Sequence, residues 1–175
     1  MRFGLMAIDG LNRLVGWFLA ALLMVISIVV FIQVLVRFVL TAVGLDIQAS
    51  WTEELARYLL CWMVFVGGAY GCRKAQLMAL DFAVSRLPGM LGQAARYLSL
   101  ILCLAFFLML VQVGWAFMEF GQTETSPVIR LRMHWVYAAI PFGAGLMVLN
   151  TIGLMLEAWI TRTDIRSIGV EQAID

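Results

Sequence analysis

Few residue types in this chain could do chemistry, and they gather in one place. Glu53, Glu54 and Arg57 fall within a single helical turn, in the run Trp51-Thr52-Glu53-Glu54-Leu55-Ala56-Arg57-Tyr58. On a helix Glu53 lies four residues before Arg57 and Glu54 three, so either carboxylate can reach the guanidinium. Such a cluster can cap a helix while the arginine snorkels. It can also form a buried polar contact with another membrane protein and fix the register of docking. Elsewhere the chemistry is sparse. Cys61, Cys72 and Cys103 lie inside or at the ends of apolar runs without a CxxC pair, and read as small packing residues. The single histidine, His134, stands beside Trp135 and reads as an interfacial polar residue, because a haem anchor needs histidines on facing helices. No P-loop, HExxH or GxSxG occurs. The expectation is a non-enzyme with no catalytic residue, no metal site and no cofactor of its own.

The elements that must carry these residues follow from composition. The 175 residues are 63% hydrophobic and 13% charged, against about 25% charged in a soluble domain. Mean hydropathy is +0.96, and the apolar residues come in long blocks. That excludes a water-soluble globule and predicts an all-α integral membrane protein, a single membrane domain over 1–175. Four spans are expected, at about 14–36, 55–72, 97–118 and 134–159. The first is too long for a signal peptide and reads as a retained span. Asp9 and Arg13 are spaced to pair on a helix surface. Ser50 and Glu53 fit a capping box at the start of the second helix, where its dipole favours carboxylates. Gly67 and Gly71 form a GxxxG, which permits close helix approach inside this chain or against a partner. Leu77, Leu80, Val84 and Leu87 predict a short amphipathic surface helix over 76–87, stopped by Pro88-Gly89. In the fourth span Pro141 should bend the helix, Ala139 and Gly143 offer a close-packing face, and Asn150 near mid-membrane needs a hydrogen-bond partner.

Orientation is read from the basic residues. With the N-terminus inside, Arg2, Arg13, Arg73, Lys74, Arg86, Arg96, Arg162 and Arg166 are inner, and Arg37, Arg57, Arg130 and Arg132 outer. The inner set is larger, so both termini are expected in the cytoplasm. Trp17 and Trp159 then mark one interface, and Trp51, Trp115 and Trp135 the other. No acidic residue falls near mid-membrane, which argues against an autonomous proton-coupled exporter.

On these residues the sequence resembles a known family, the small four-span membrane subunit (Q-type) of tripartite ATP-independent periplasmic (TRAP) transporters. The resemblance rests on Trp51 to Tyr58, continuing through Trp62, Phe65 and Gly67. It resumes at Gln76-Leu77-Met78-Ala79-Leu80-Asp81, where Gln76 replaces the family's common histidine, and again at Trp135-Val136-Tyr137-Ala138-Ala139-Ile140-Pro141. It implies a scaffold subunit in a bacterial inner membrane. Its partners would be a large multi-span subunit that binds Na+ and substrate, a periplasmic binding protein that delivers an organic acid of carboxylate or sulfonate type, and membrane lipids. Glu53, Glu54, Arg57, Gly67 and Gly71 are then candidates for the large-subunit interface. Arg130 and Arg132 are candidates for meeting an acidic patch of the binding protein, with lipid headgroups as the competing contact. Two other functions stay open: a membrane anchor of a respiratory enzyme, and a small transporter acting alone.

Overall fold

Long apolar runs without proline become long helices, because in lipid each backbone N–H and C=O must be satisfied within its own segment. The computed structural model describes residues 2–40, 50–73 and 89–161. Helix α1 spans Arg2–Leu35 and ends in a π-helical turn at Val36–Leu40. Helix α2 spans Ser50–Arg73 and α3 spans Gly89–Phe120. A short α4, His134–Tyr137, leads into α5, Ala139–Thr161. Four apolar helices are thus long enough to cross a membrane, and no strand is present among the described residues. The expected surface helix over 76–87, the connector 41–49 and the tail from 162 lie outside the described residues.

The helices are longer than the apolar runs that predicted them. α1 begins at Arg2 rather than near Leu14, because its polar first turns have partners: Ile8 packs at Gly153 of α5, and Asn12 bonds Asn150. Asp9, expected to pair with Arg13, is instead bonded by Arg73. Pro141 does more than bend the fourth span. It cannot donate to the carbonyl of Tyr137 and its ring crowds that position, so the helix breaks at Ala138 into α4 and α5.

The four long helices stand side by side in the order α1, α2, α5, α3, an open row in which α1 also touches α5 near Arg73. The end helices α1 and α3 pack mainly on one neighbour each, whereas α2 and α5 pack on two sides. On α1 the buried stripe is Asn12, Leu22, Ile26 and Val29, spaced to share one helix face. Close approach is set by glycines inside the chain. A side chain at Gly143 would lie 2.8 Å from the backbone carbon of Phe65 on α2, and one at Gly114 would lie 2.9 Å from the ring nitrogen of Pro141. Gly67, by contrast, has ordinary room, with Leu19 of α1 3.8 Å away. Because most of the row has no second layer over it, large apolar side chains such as Phe31, Val64, Met109 and Phe142 remain exposed on its faces. A water-soluble protein rarely tolerates so much apolar surface.

Candidate functional site

The structure separates the three charged residues that the sequence groups. Glu53 and Arg57 form an i,i+4 pair at 3.4 Å, with 64% and 71% of their side chains exposed. Glu54 lies 100° further round the helix and is buried, 7% exposed. Each oxygen of its carboxylate accepts two hydrogen bonds. Oε1 takes the Tyr58 hydroxyl at 2.6 Å and the Ser126 hydroxyl. Oε2 takes the backbone N–H groups of Val128 at 3.2 Å and Ile129 at 3.0 Å. Four donors satisfy a carboxylate well, which is how it can be buried here without a cation.

The segment that Glu54 holds is a tight hairpin-like loop between α3 and α4. Thr125 and Arg132 form an isolated antiparallel bridge. Ser126 N–H donates to Leu131 O at 2.9 Å, and Met133 N–H to Glu124 O at 3.0 Å. The turn closes through Arg130, whose φ of 55° is left-handed and mildly strained for a residue with a side chain. At the base Gly121 lets the chain double back: His134 N–H donates to Gly121 O at 3.0 Å, and a side chain at Gly121 would strike Tyr137. Nearby the Trp62 indole donates to Trp135 O at 3.2 Å and packs on Phe142 with ring centroids 6.0 Å apart, tying α2 to the break above α5.

The other end of α2 is fastened differently. Arg73 is 5% exposed. Its Nη2 meets Asp9 of α1 at 2.7 Å and its Nη1 meets Glu157 of α5 at 2.6 Å. One turn inward Asn12 and Asn150 bond reciprocally at 2.7 and 2.9 Å, and Asn150 also donates to Ala69 O at 2.7 Å. Asn150 therefore has its partners, but close to the Arg73 end rather than at mid-membrane. These two layers join α1, α2 and α5 through side chains and the carbonyl of Ala69.

Comparison with known proteins decides the family. The family model described as tripartite ATP-independent periplasmic transporters, DctQ component, matches residues 26–161. The chain belongs to this family. Over 130 residues it is 25% identical to a Haemophilus influenzae protein provisionally named a TRAP transporter small permease, covering 74% of this chain and 77% of that one. It is 30% identical over 110 residues to the C4-dicarboxylate TRAP transporter small permease DctQ of Rhodobacter capsulatus, covering 58% and 45%. It is 24% identical over 141 residues to the isethionate TRAP transporter permease DctMQ of Oleidesulfovibrio alaskensis, covering 77% of this chain but 22% of that much longer one.

Within this DctQ-family chain the residues singled out from sequence fall into two groups. Glu54 is committed inside the chain. Glu53, Arg57, Gly67 and Gly71 lie 4, 10 and 4 residues apart, and so share one stripe of α2. Leu60 and Val64, 53% and 59% exposed, fill the same stripe between them. Arg130 and Arg132 are exposed in the loop that Glu54 clamps. The opposite side of α2 opens into an apolar cleft of about 340 Å³ lined by Leu14, Phe18, Trp62, Val66 and Phe142. Sequence reasoning missed the Glu54–Ser126 bond and the Arg73 triad. Tyr58, four residues after Glu54, was the one local signal for the first; for the second there was none, since Asp9, Arg73 and Glu157 are far apart in the chain.

Proposed function

We propose that this chain is the static small subunit of a Na+-coupled TRAP transporter that imports an organic acid of carboxylate or sulfonate type. The large multi-span subunit would carry Na+ and substrate, and a periplasmic binding protein would deliver the substrate. The family match over 26–161 carries the transporter part of this reading. The substrate class is supported by the names of two relatives, one for C4-dicarboxylates and one for isethionate. A large membrane partner is supported by the DctMQ relative, in which a segment like this chain is part of a longer permease.

The scaffold role is supported by construction. An open row fastened by polar contacts near both ends of α2 is suited to holding still while a neighbour moves. The α2 stripe is the face proposed to meet the large subunit. Glu53 and Arg57 head it, Leu60 and Val64 supply apolar contact, and Gly67 and Gly71 allow a helix to approach closely. The bias of basic residues supports both termini in the cytoplasm, with the Glu54 end of α2 periplasmic.

The test is co-purification of the tagged chain from its native membrane in mild detergent, then Na+-driven uptake in proteoliposomes with and without it. A stoichiometric multi-span partner, whose uptake falls when this chain is omitted, is expected. A chain that emerges alone, folded and monodisperse, would overturn the proposal.

A further inference from the structure

Several polar side chains inside the spans are satisfied by the chain itself. Asn12 and Asn150 bond each other, and Ser27 and Thr151 donate back to the carbonyls of Leu23 and Met147. Gln112 of α3 departs from this pattern. It is exposed and makes no hydrogen bond among the described residues. Gln33, the other glutamine of an apolar run, lies one turn from Arg37 at the end of that run. Gln112 has no such exit. The Trp115 indole donates to Glu119 at 3.0 Å, and this pair marks the water boundary at the end of α3. Gln112 precedes Glu119 by seven residues, which sets it roughly 10 Å below that boundary. Side chains lean toward the N-terminus of their helix, so the amide is carried deeper rather than out to water. Lipid tails offer it neither a donor nor an acceptor.

The face around Gln112 has the form of a helix seam. Leu98, Ile101, Ala105, Leu108 and Gln112 recur at spacings of three and four, and all are exposed. They look away from α5, whose side of α3 is marked by buried Arg96 and Leu100 and by Gly114 against Pro141. In a coiled coil one polar residue in such a seam fixes the register and the number of strands. We infer that this seam joins two copies of the chain, with Gln112 bonding its counterpart across a two-fold axis along the membrane normal. Two copies insert with the same orientation, because the same basic residues set it. A two-fold axis then places each seam residue opposite its own equivalent. Gln112 therefore meets an amide at its own depth, whereas any other protein would need a polar group of its own there. A glutamine amide both donates and accepts, so the pair is reciprocal, as Asn12 and Asn150 already are within the chain. The seam lies on the end helix of the row and not on α2, and the inference does not depend on the transporter reading.

The experiment has two arms. In native membrane, a photoreactive benzophenone side chain at Leu108 should give a covalent product of twice the chain's mass, while the same group at Phe106, about 100° round the helix, should label lipid. In liposomes, wild-type chains carrying donor or acceptor fluorophores should show energy transfer that falls as lipid is added. Gln112→Leu should weaken this association by roughly threefold to tenfold, and Gln112→Asn, which keeps an amide, by less. Both variants should melt as wild type does, since Gln112 bonds nothing within the chain. A product of this chain with a larger protein at Leu108 makes that protein the occupant and the inference wrong. Only lipid adducts at Leu108, equal dimer at Leu108 and Phe106, or no energy transfer at any lipid ratio overturns the seam. Association in Gln112→Leu equal to wild type overturns the reciprocal amide pair.

Discussion

The two ends of α2 are both held by a buried ionised side chain, yet they solve opposite problems. At the first turn a carboxylate, Glu54, bonds hydroxyls and backbone amides of a neighbouring loop. At the last turn a guanidinium, Arg73, bonds carboxylates of two other helices. Each sign matches the helix dipole at its end. The partners differ in kind. Backbone donors define the shape of a loop, whereas side-chain acceptors define the distance between helices. One end of the row therefore presents a surface and the other end keeps the row together.

The comparison breaks most clearly at Arg73. Arg73→Ala should cost about 3 kcal/mol, the low end for a disrupted buried pair because Asp9 is partly exposed. It should loosen α1 and α5 in an SDS unfolding titration while leaving amide exchange at Val128 and Ile129 unchanged. If the loop loosens too, the two ends are one cooperative unit and the contrast fails. Between them, Gly143→Ala should cost about 2 kcal/mol by forcing the backbones of α2 and α5 apart, whereas Gly67→Ala should change the same midpoint little. Asn150→Ala should cost about 1 kcal/mol, near the middle of the range for polar contacts in membranes, and add to Arg73→Ala less than fully because the two layers share α1, α2 and α5. The smallest effect belongs to the exposed pair: Arg57→Ala should move the stability of the isolated chain by less than about 0.5 kcal/mol. A loss of large-subunit co-purification in that variant would place the Glu53–Arg57 pair at the interface.

The helices were legible because apolar block length is a direct physical requirement of the bilayer, and a bend at Pro141 because a missing donor is written into one residue, though the full break at Ala138 was not. The first turns of α1 were not, since Asn12 is polar and its place depends on Asn150, 138 residues away. The Glu53/Glu54/Arg57 cluster was legible as a cluster but not as two opposed directions. Both carboxylates are in range of Arg57, and only the fold decides that Glu53 takes it while Glu54 turns to Ser126. Arg96 shows the same limit: counted from sequence among the inner cations, it is fully buried on α3. Gly67 and Gly71 drew attention through their motif, yet the close backbone contacts fall at Gly114 and Gly143, whose partners Pro141 and Phe65 lie on other helices.

The length of α1 has a mechanical consequence. Its uncharged run, 14–36, has 23 residues and extends about 34 Å at 1.5 Å per residue, against a hydrocarbon core of about 30 Å. A tilt near the common ~20° brings the projection to about 32 Å, close to that core. The turns before it, with Asp9, Asn12 and Arg13, are therefore left over at the water boundary, where Asp9 meets Arg73. The extra length of α1 thus works as a post standing out of the lipid, to which α2 and α5 are tied where water can reach the charges.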